Sequence, residues 1–464
     1  MSVKLYEWDK RHELILSSFI DKLNIAGFRF FILRNYEGLP ENNVSKDVDI
    51  IIDPKYYSKS KQILLQVFKE QGLSHCFQAV YEKAHCFYAM KVENNFAIHI
   101  DLISGFSNKG FEILTFDYLY SNTIRYKNFL VLNDELNAVM LILYKVIGSK
   151  QLKERYRKEI GDAFRENPLK IREILLEVLG QKIGNLIIFA LQNDDFDNIV
   201  KNAKVISSSA KQKVMLKHPV KTIFGIIKFL FEKIIRMIIC PNRFQNVIAV
   251  EAPDGTGKST FIDALIYQVA HSYVCDKERC DVYHFRPCIL PNLGAVGEKA
   301  GIMKQDTNFT VPHRAKPANG LSSFVRMTYY WLDYVIGMPV ILRKSAQFDH
   351  ITIFDRYIYD FLVDPERTRI KLPYWLRRMF TRLVKQPKIV FVLQAPADVI
   401  YKRKQELTID EINHQLEGFE KLSCLGDRMH YLDATKKPEE IAMDAIKIIL
   451  DTFTTKLADY EVNN

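Results

Sequence analysis

The chain has 464 residues, a length at which one hydrophobic core gives way to two or three domains of ~100–200 residues each. Its residues are 48% apolar and 26% charged, with 19 Gly and 16 Pro, which excludes a collagen-like, low-complexity or extensively disordered chain. Seven cysteines without a C-x-x-C pair or a Cys/His cluster give neither a disulfide framework nor a zinc site, and MSVKLYEWDKRHELILSSF carries charges where a secretory signal needs an apolar run. A reducing, cytoplasmic setting is expected. The net charge of +10 is uneven, because ten Lys or Arg face one acid, Glu232, between residues 200 and 246.

Residues 1–125 mix short apolar runs, FRFFILRNY, DVDIIID and FAIHIDLIS, with a helical stretch, YYSKSKQILLQVFKEQG. That alternation predicts an α/β domain. In DVDIIID, Asp47 and Asp49 stand two residues apart and so share one side of a strand, and Asp101 follows on a second apolar strand. Three carboxylates in that pattern resemble the metal-binding triad of the nucleotidyltransferase superfamily, which implies Mg²⁺ at Asp47, Asp49 and Asp101. The same acids also fit a half-exposed strand edge. Where that superfamily has a Gly-Ser turn before the paired acids, this chain has Leu33-Arg34-Asn35-Tyr36, so Arg34 is the candidate to meet phosphate by charge.

Residues 126–243 read as a helical connector, with NDELNAVMLILYKVIG and ENPLKIREILLEVLGQKIGNLIIFALQ spaced at the helical period. In KTIFGIIKFLFEKIIRMIIC, Lys228, Glu232 and Arg236 form a narrow polar stripe on an apolar helix. A buried inter-domain helix fits this pattern. So does a helix lying on an anionic membrane, helped by Lys211, Lys213 and Lys217, peripheral on the inner face. Its charges argue against a span, and the lack of an aromatic-interleaved basic motif argues against nucleic acid.

From 244 to 464, five β-like runs (NVIAVE, DVYHFR, HITIFDR, KIVFVLQ, MHYLDA) separated by helix-length intervals predict a five-stranded parallel sheet. After the first run comes EAPDGTGKST, then STFIDALIYQVAHSY at helical spacing. This strand–loop–helix order fits a phosphate-binding loop with Ala252 in place of its first glycine. Gly255 and Gly257 turn the backbone so that amides face anionic oxygens, with Asp254, Thr256 and Thr260 completing the loop. Lys258 is expected at the β/γ-phosphates of ATP and Ser259 at Mg²⁺.

The loop, together with Asp355-Arg356-Tyr357 at the end of a later strand, resembles thymidylate kinases, and more closely a divergent bacterial group with D-R-Y-x-x-D. The resemblance spans 246 to about 455. It implies an ATP-dependent P-loop kinase in which Asp355 lies beside Mg²⁺ and the acceptor phosphate and Arg356 binds phosphate. Arg403, between Lys402 and Lys404, falls where such kinases keep a basic lid. Arg286, Arg314 and Arg326 fall in the interval that meets the acceptor. The continuation IYDFLVDPER departs from thymidylate kinases, and no thymine-recognition pattern appears. The acceptor therefore stays open, a nucleoside monophosphate among the candidates, as does a homodimer. A nucleotide-binding regulator with slow turnover, or AMP transfer to a macromolecule, are the alternatives.

Overall fold

The computed structural model describes residues 8–91, 96–234, 247–272, 280–291, 319–345 and 351–460. They form two compact units, one holding residues up to 234 together with 455–460, the other those from 247 to 454. Arg314, Arg236 and the last residues of the basic apolar stretch lie outside the described residues.

The first unit is built on an eight-stranded mixed sheet. Its strands are β1 (Phe30–Ile32), β2 (Val48–Ile52), β3 (His75–Tyr81), β4 (Ala84–Lys91), β5 (Phe96–Ile103), β8 (Thr123–Tyr126), β9 (Phe129–Leu132) and β15 (Thr455–Lys456), while β6 (Phe106–Asn108) and β7 (Phe111–Leu114) form a separate hairpin. The spatial order is β15-β3-β4-β5-β2-β1-β9-β8. In β2 every residue is buried, which is unusual for a sheet with one wet face and follows from two covering layers. Val48, Ile50 and Ile52 pack with the helices Lys10–Ile25 and Tyr57–Glu70, whereas Ile51 packs with helices from the 134–210 region. The helices that the pattern marks off as a connector thus form the second layer of this unit.

Two local features were not apparent from the periodicity. The apolar run from Pro168 to Gln192 is two helices, Pro168–Leu179 and Gln181–Gln192, broken at Gly180 with φ +80°. The helix beginning at Asp134 changes at Leu143–Ser149 into a π-helical turn, a widening often found beside functional groups. The chain also returns at its end, where Thr455 and Lys456 pair antiparallel with Cys76 and His75.

The second unit carries the expected five-stranded sheet. β10 (Val247–Glu251), β11 (Cys280–His284), β12 (Ile351–Asp355), β13 (Ile389–Gln394) and β14 (Met429–Asp433) are all parallel, in the order β11-β12-β10-β13-β14. β10 is central and buried throughout; Val247 and Ala249 share a core with Met327, Tyr334 and Met338 of the helix Gly320–Ser345. Parallel strands deliver all their C-terminal ends to one edge, and the ends of β10, β11 and β12 bring their polar residues together there.

Candidate functional site

Two polar clusters stand out, one in each unit. In the second unit β10 runs into the loop 252–257, and the 15-residue helix Lys258–Ser272 follows directly. Gly255 (φ +87°) and Gly257 (φ +103°) hold conformations that side-chain-bearing residues rarely adopt. A Cβ on Gly255 would also lie 2.9 Å from the Lys404 Cβ, so the end of the helix Ala397–Arg403 is pressed against the loop. Thr256 closes the turn, its hydroxyl donating to the Pro253 carbonyl at 2.9 Å.

Lys258 is buried, and its Nζ donates to the carbonyls of Ala252 (3.0 Å) and Pro253 (3.2 Å). Burial, aided by the nearby Arg356 charge, pulls its pKa down to about 8. Ser259 and Thr260 open the helix with exposed side chains. The loop amides and the helix N-terminus supply partial positive charge, and Lys258 supplies a full one.

Asp355 ends β12 beside Val250 of β10 and His284 of β11. Its Oδ2 lies 3.1 Å from His284 Nδ1, while its buried Oδ1 has no hydrogen-bond partner among the described residues. Burial alone would raise this carboxyl; the His284 hydrogen bond and the Lys258 charge outweigh it and hold Asp355 below its usual range. Arg356, with φ +73° and 1% exposed, is clamped between Asp254 (2.6 Å) and Asp360 (2.9 Å). Asp254 also pairs with Arg367, and against the cost of burial Arg356, Lys258 and Arg367 hold it far below the usual carboxylate range. Beneath them, Glu251 is fully buried and accepts from the Tyr357 amide at 2.8 Å. Burial and the Asp360 charge raise its pKa well above the ordinary value, which favours its protonated form.

The structure therefore gathers Asp254, Gly255, Thr256, Gly257, Lys258, Asp355, Arg356 and Arg403 around one loop. Arg403 does not extend over it. Its guanidinium donates to Thr256 O (3.1 Å) and Ala434 O (3.0 Å), joining the loop to the segment after β14. Lys402 and Lys404 pair with Asp398 and Glu406. Arg286 is buried in an ion pair with Asp333 (2.8 Å), which also accepts from the Cys288 and Leu290 amides, so it braces the segment after β11. Arg326 is half-buried, with Nε lacking a partner among the described residues. His284 and Arg367 were missed: each becomes relevant only through a partner 71 or 113 residues away.

The second cluster lies on the first unit's sheet. β2 and β5 are parallel neighbours, and Asp49 stands directly beside Asp101 in the register. Asp47, two residues earlier, faces the same way, and carboxylate oxygens of Asp47, Asp49 and Asp101 lie within 4.8 Å of one another. Cys86 is opposite Asp101 on β4, and His99 Nε2 lies 2.7 Å from Asp101 Oδ1. Arg34, just past β1, donates to Asp49 Oδ2 at 2.5 Å and stacks 4.5 Å from the Tyr144 ring centroid, while its buried Nη1 has no partner among the described residues. Burial and the neighbouring acids push Asp49 up to about 6 despite Arg34; the charge of Asp101 raises His99 despite burial. Tyr144 and Lys145 come from the π-helical turn, and burial with Arg34 nearby lowers Lys145 to about 8. Three oxygen donors and an unsatisfied guanidinium nitrogen suit a hard divalent cation accompanied by an anion.

No protein-family model matches the chain, and no curated protein matches it. Among solved structures, the thymidylate kinase of Ehrlichia chaffeensis is similar over 44% of this chain and 97% of that one, at 17% identity and a TM-score of 0.29. A likeness that loose carries no weight for function. No helix among the described residues is long and apolar enough to cross a membrane.

Proposed function

We propose that the second unit is an ATP-dependent phosphotransferase, a P-loop kinase resembling thymidylate kinases, that moves the γ-phosphate to a small acceptor such as a nucleoside monophosphate. One observation carries the reading: a two-glycine loop leaves the central strand of a parallel sheet, enters a 15-residue helix, and folds Lys258 back on its own carbonyls beside Asp355. Loop amides would hold the phosphates, and Lys258 would exchange its carbonyl partners for β/γ-oxygens. An acceptor oxygen then bonds to the γ-phosphorus as the bridging β–γ oxygen bond breaks and ADP departs. Ser259 and the partnerless Oδ1 of Asp355 would hold Mg²⁺, which when bound neutralises phosphate charge. Arg356 supports this chemistry from beneath, because both its terminal nitrogens, Nη1 and Nη2, are engaged with Asp360 and Asp254.

Calorimetric titration with Mg²⁺-ATP tests the reading. Binding by the wild type and its loss in a folded Lys258→Ala variant are expected; equal affinity in both would refute it.

For the first unit we propose a divalent-cation and nucleotide-phosphate site of the nucleotidyltransferase kind, with Asp47, Asp49 and Asp101 as ligands and Arg34 meeting phosphate. It rests on the convergence of the three carboxylates around a guanidinium whose Nη1 lacks a partner among the described residues. Transfer of label from α-labelled ATP to a macromolecule would show that this unit adds AMP; binding without transfer would leave it a sensor.

A further inference from the structure

The helix Pro219–Ile234 belongs to the first unit and touches it with one face only. Thr222 is its one buried residue, and a Cβ on Gly225 would run into the carbonyl oxygen of Gly110, so the helix backbone rides directly on the β6–β7 hairpin. Lys221 adds an ion pair to Glu112 at 2.6 Å. On the opposite side Val220, Ile223, Phe224, Ile227, Leu230 and Phe231 are each 48–69% exposed, and Ile234 continues the row. Their spacing of i, i+3, i+4, i+7, i+10, i+11 confines them to a single stripe. A soluble surface has no use for such a row, which needs an occupant.

We propose that this stripe seats the protein in the plane of an anionic lipid surface. Charge on the page selects that occupant. At 100° per residue, exposed Lys228 and Lys233 flank the stripe on opposite sides, and exposed Lys217 precedes it. The helix's one acid, Glu232, stands 3.9 Å from Lys228. A second copy packed through the same stripe would set cations against cations, whereas acidic headgroups meet them. The described helix carries Lys221, Lys228, Glu232 and Lys233, charges that a hydrocarbon core resists, so it lies along the surface instead of crossing it. The lysines upstream contribute less than their number suggests. Lys213 donates to the carbonyls of Leu176 and Glu177, and Lys211 sits 5.5 Å from the centroid of the Phe111 ring, so both are part of the fold.

Co-sedimentation of the full chain with phosphatidylcholine vesicles, with and without phosphatidylglycerol, tests the proposal. The wild type should pellet only with phosphatidylglycerol present and should be released as salt shortens the ~10 Å screening length found at 0.1 M. Replacing Lys217, Lys228 and Lys233 together by Gln should weaken partitioning about a hundredfold, at a typical tenfold or less per surface cation. Phe224→Glu with Phe231→Glu should abolish it at any salt while the melting temperature stays that of the wild type, since both rings are exposed. Failure of the wild type to pellet, equal pelleting on neutral vesicles, or a concentration-dependent dimer dissolved by the Phe variant would each overturn it. The lipid and salt comparisons need no variant.

Discussion

The two polar clusters are opposites in how their charge is balanced. Around the glycine loop, Arg356 is already neutralised by Asp254 and Asp360, Arg403 is spent on backbone carbonyls, and Lys258 rests on carbonyls that a phosphate can replace. On the first unit's sheet three carboxylates crowd together against Arg34 and His99, and Asp49 is pushed upward as a result. One site is complete except for an anion; the other carries more negative charge than its own cations offset. A fold can prepare for a charged ligand in either way, by bracing a cationic cradle from below or by leaving acids that only a cation relieves.

The largest effect should come from the brace. Arg356→Met leaves the buried Asp360 without its guanidinium and Asp254 with Arg367 alone, and breaking a buried pair in this manner costs about 3–5 kcal/mol. Urea unfolding should show that loss in the second unit's transition, and an unchanged midpoint would mean that the clamp holds nothing. In the other cluster, Asp47→Asn with Asp101→Asn should weaken Mn²⁺ binding at least ~10-fold, the lower end of what even outer-shell changes do. Electron paramagnetic resonance titration reads this directly. Turnover of ATP at the glycine loop should be unaltered in that variant, and its collapse would show that the two clusters do not work separately.

A smaller effect sharpens the account of Glu251. Its ordinary pKa is 4.5, and burial beside Asp360 raises it, so the folded chain keeps a proton that the unfolded chain releases. This group's contribution is therefore fully present below about pH 4.5 and is lost as pH rises toward its folded value. Glu251→Gln removes that dependence, so its stability relative to wild type should climb by about 1.4 kcal/mol per pH unit across that window. Parallel melts of the two proteins from pH 4 upward check the sign. The smallest change is Ala252→Gly, expected to cost about 0.5–1 kcal/mol of stability through backbone freedom and to leave transfer intact.

What could be read from the sequence was what is contiguous in it. Residues 251–260 announced a strand–loop–helix, the five β-like runs announced a parallel sheet, and the i, i+2 spacing of Asp47 and Asp49 placed them on one side. Asp101, grouped with them through the resemblance, stands beside Asp49 in the register. What was not legible depends on chain folding over long distances. No local pattern marks the contact of His284 with Asp355, the pairing of Arg367 with Asp254, or the return of Thr455 to β3. β4 escaped because its residues from 85 to 90 are buried without a break and so leave no in–out alternation to read. Tyr144 and Lys145 escaped because helical periodicity continues unbroken in sequence through the π-helical turn that redirects them.

Acceptor-dependent ADP release tests the central claim most directly, with fractions of a metabolite extract offered to the wild type and to Lys258→Ala in the presence of Mg²⁺-ATP. The account predicts slow release by the wild type alone, a large acceleration by at least one fraction, and a fall of ~10²–10³ in that accelerated rate for Lys258→Ala, the usual cost of losing one charge-stabilising group. Acceleration that survives in Lys258→Ala, or release by the wild type that no fraction changes, would contradict it.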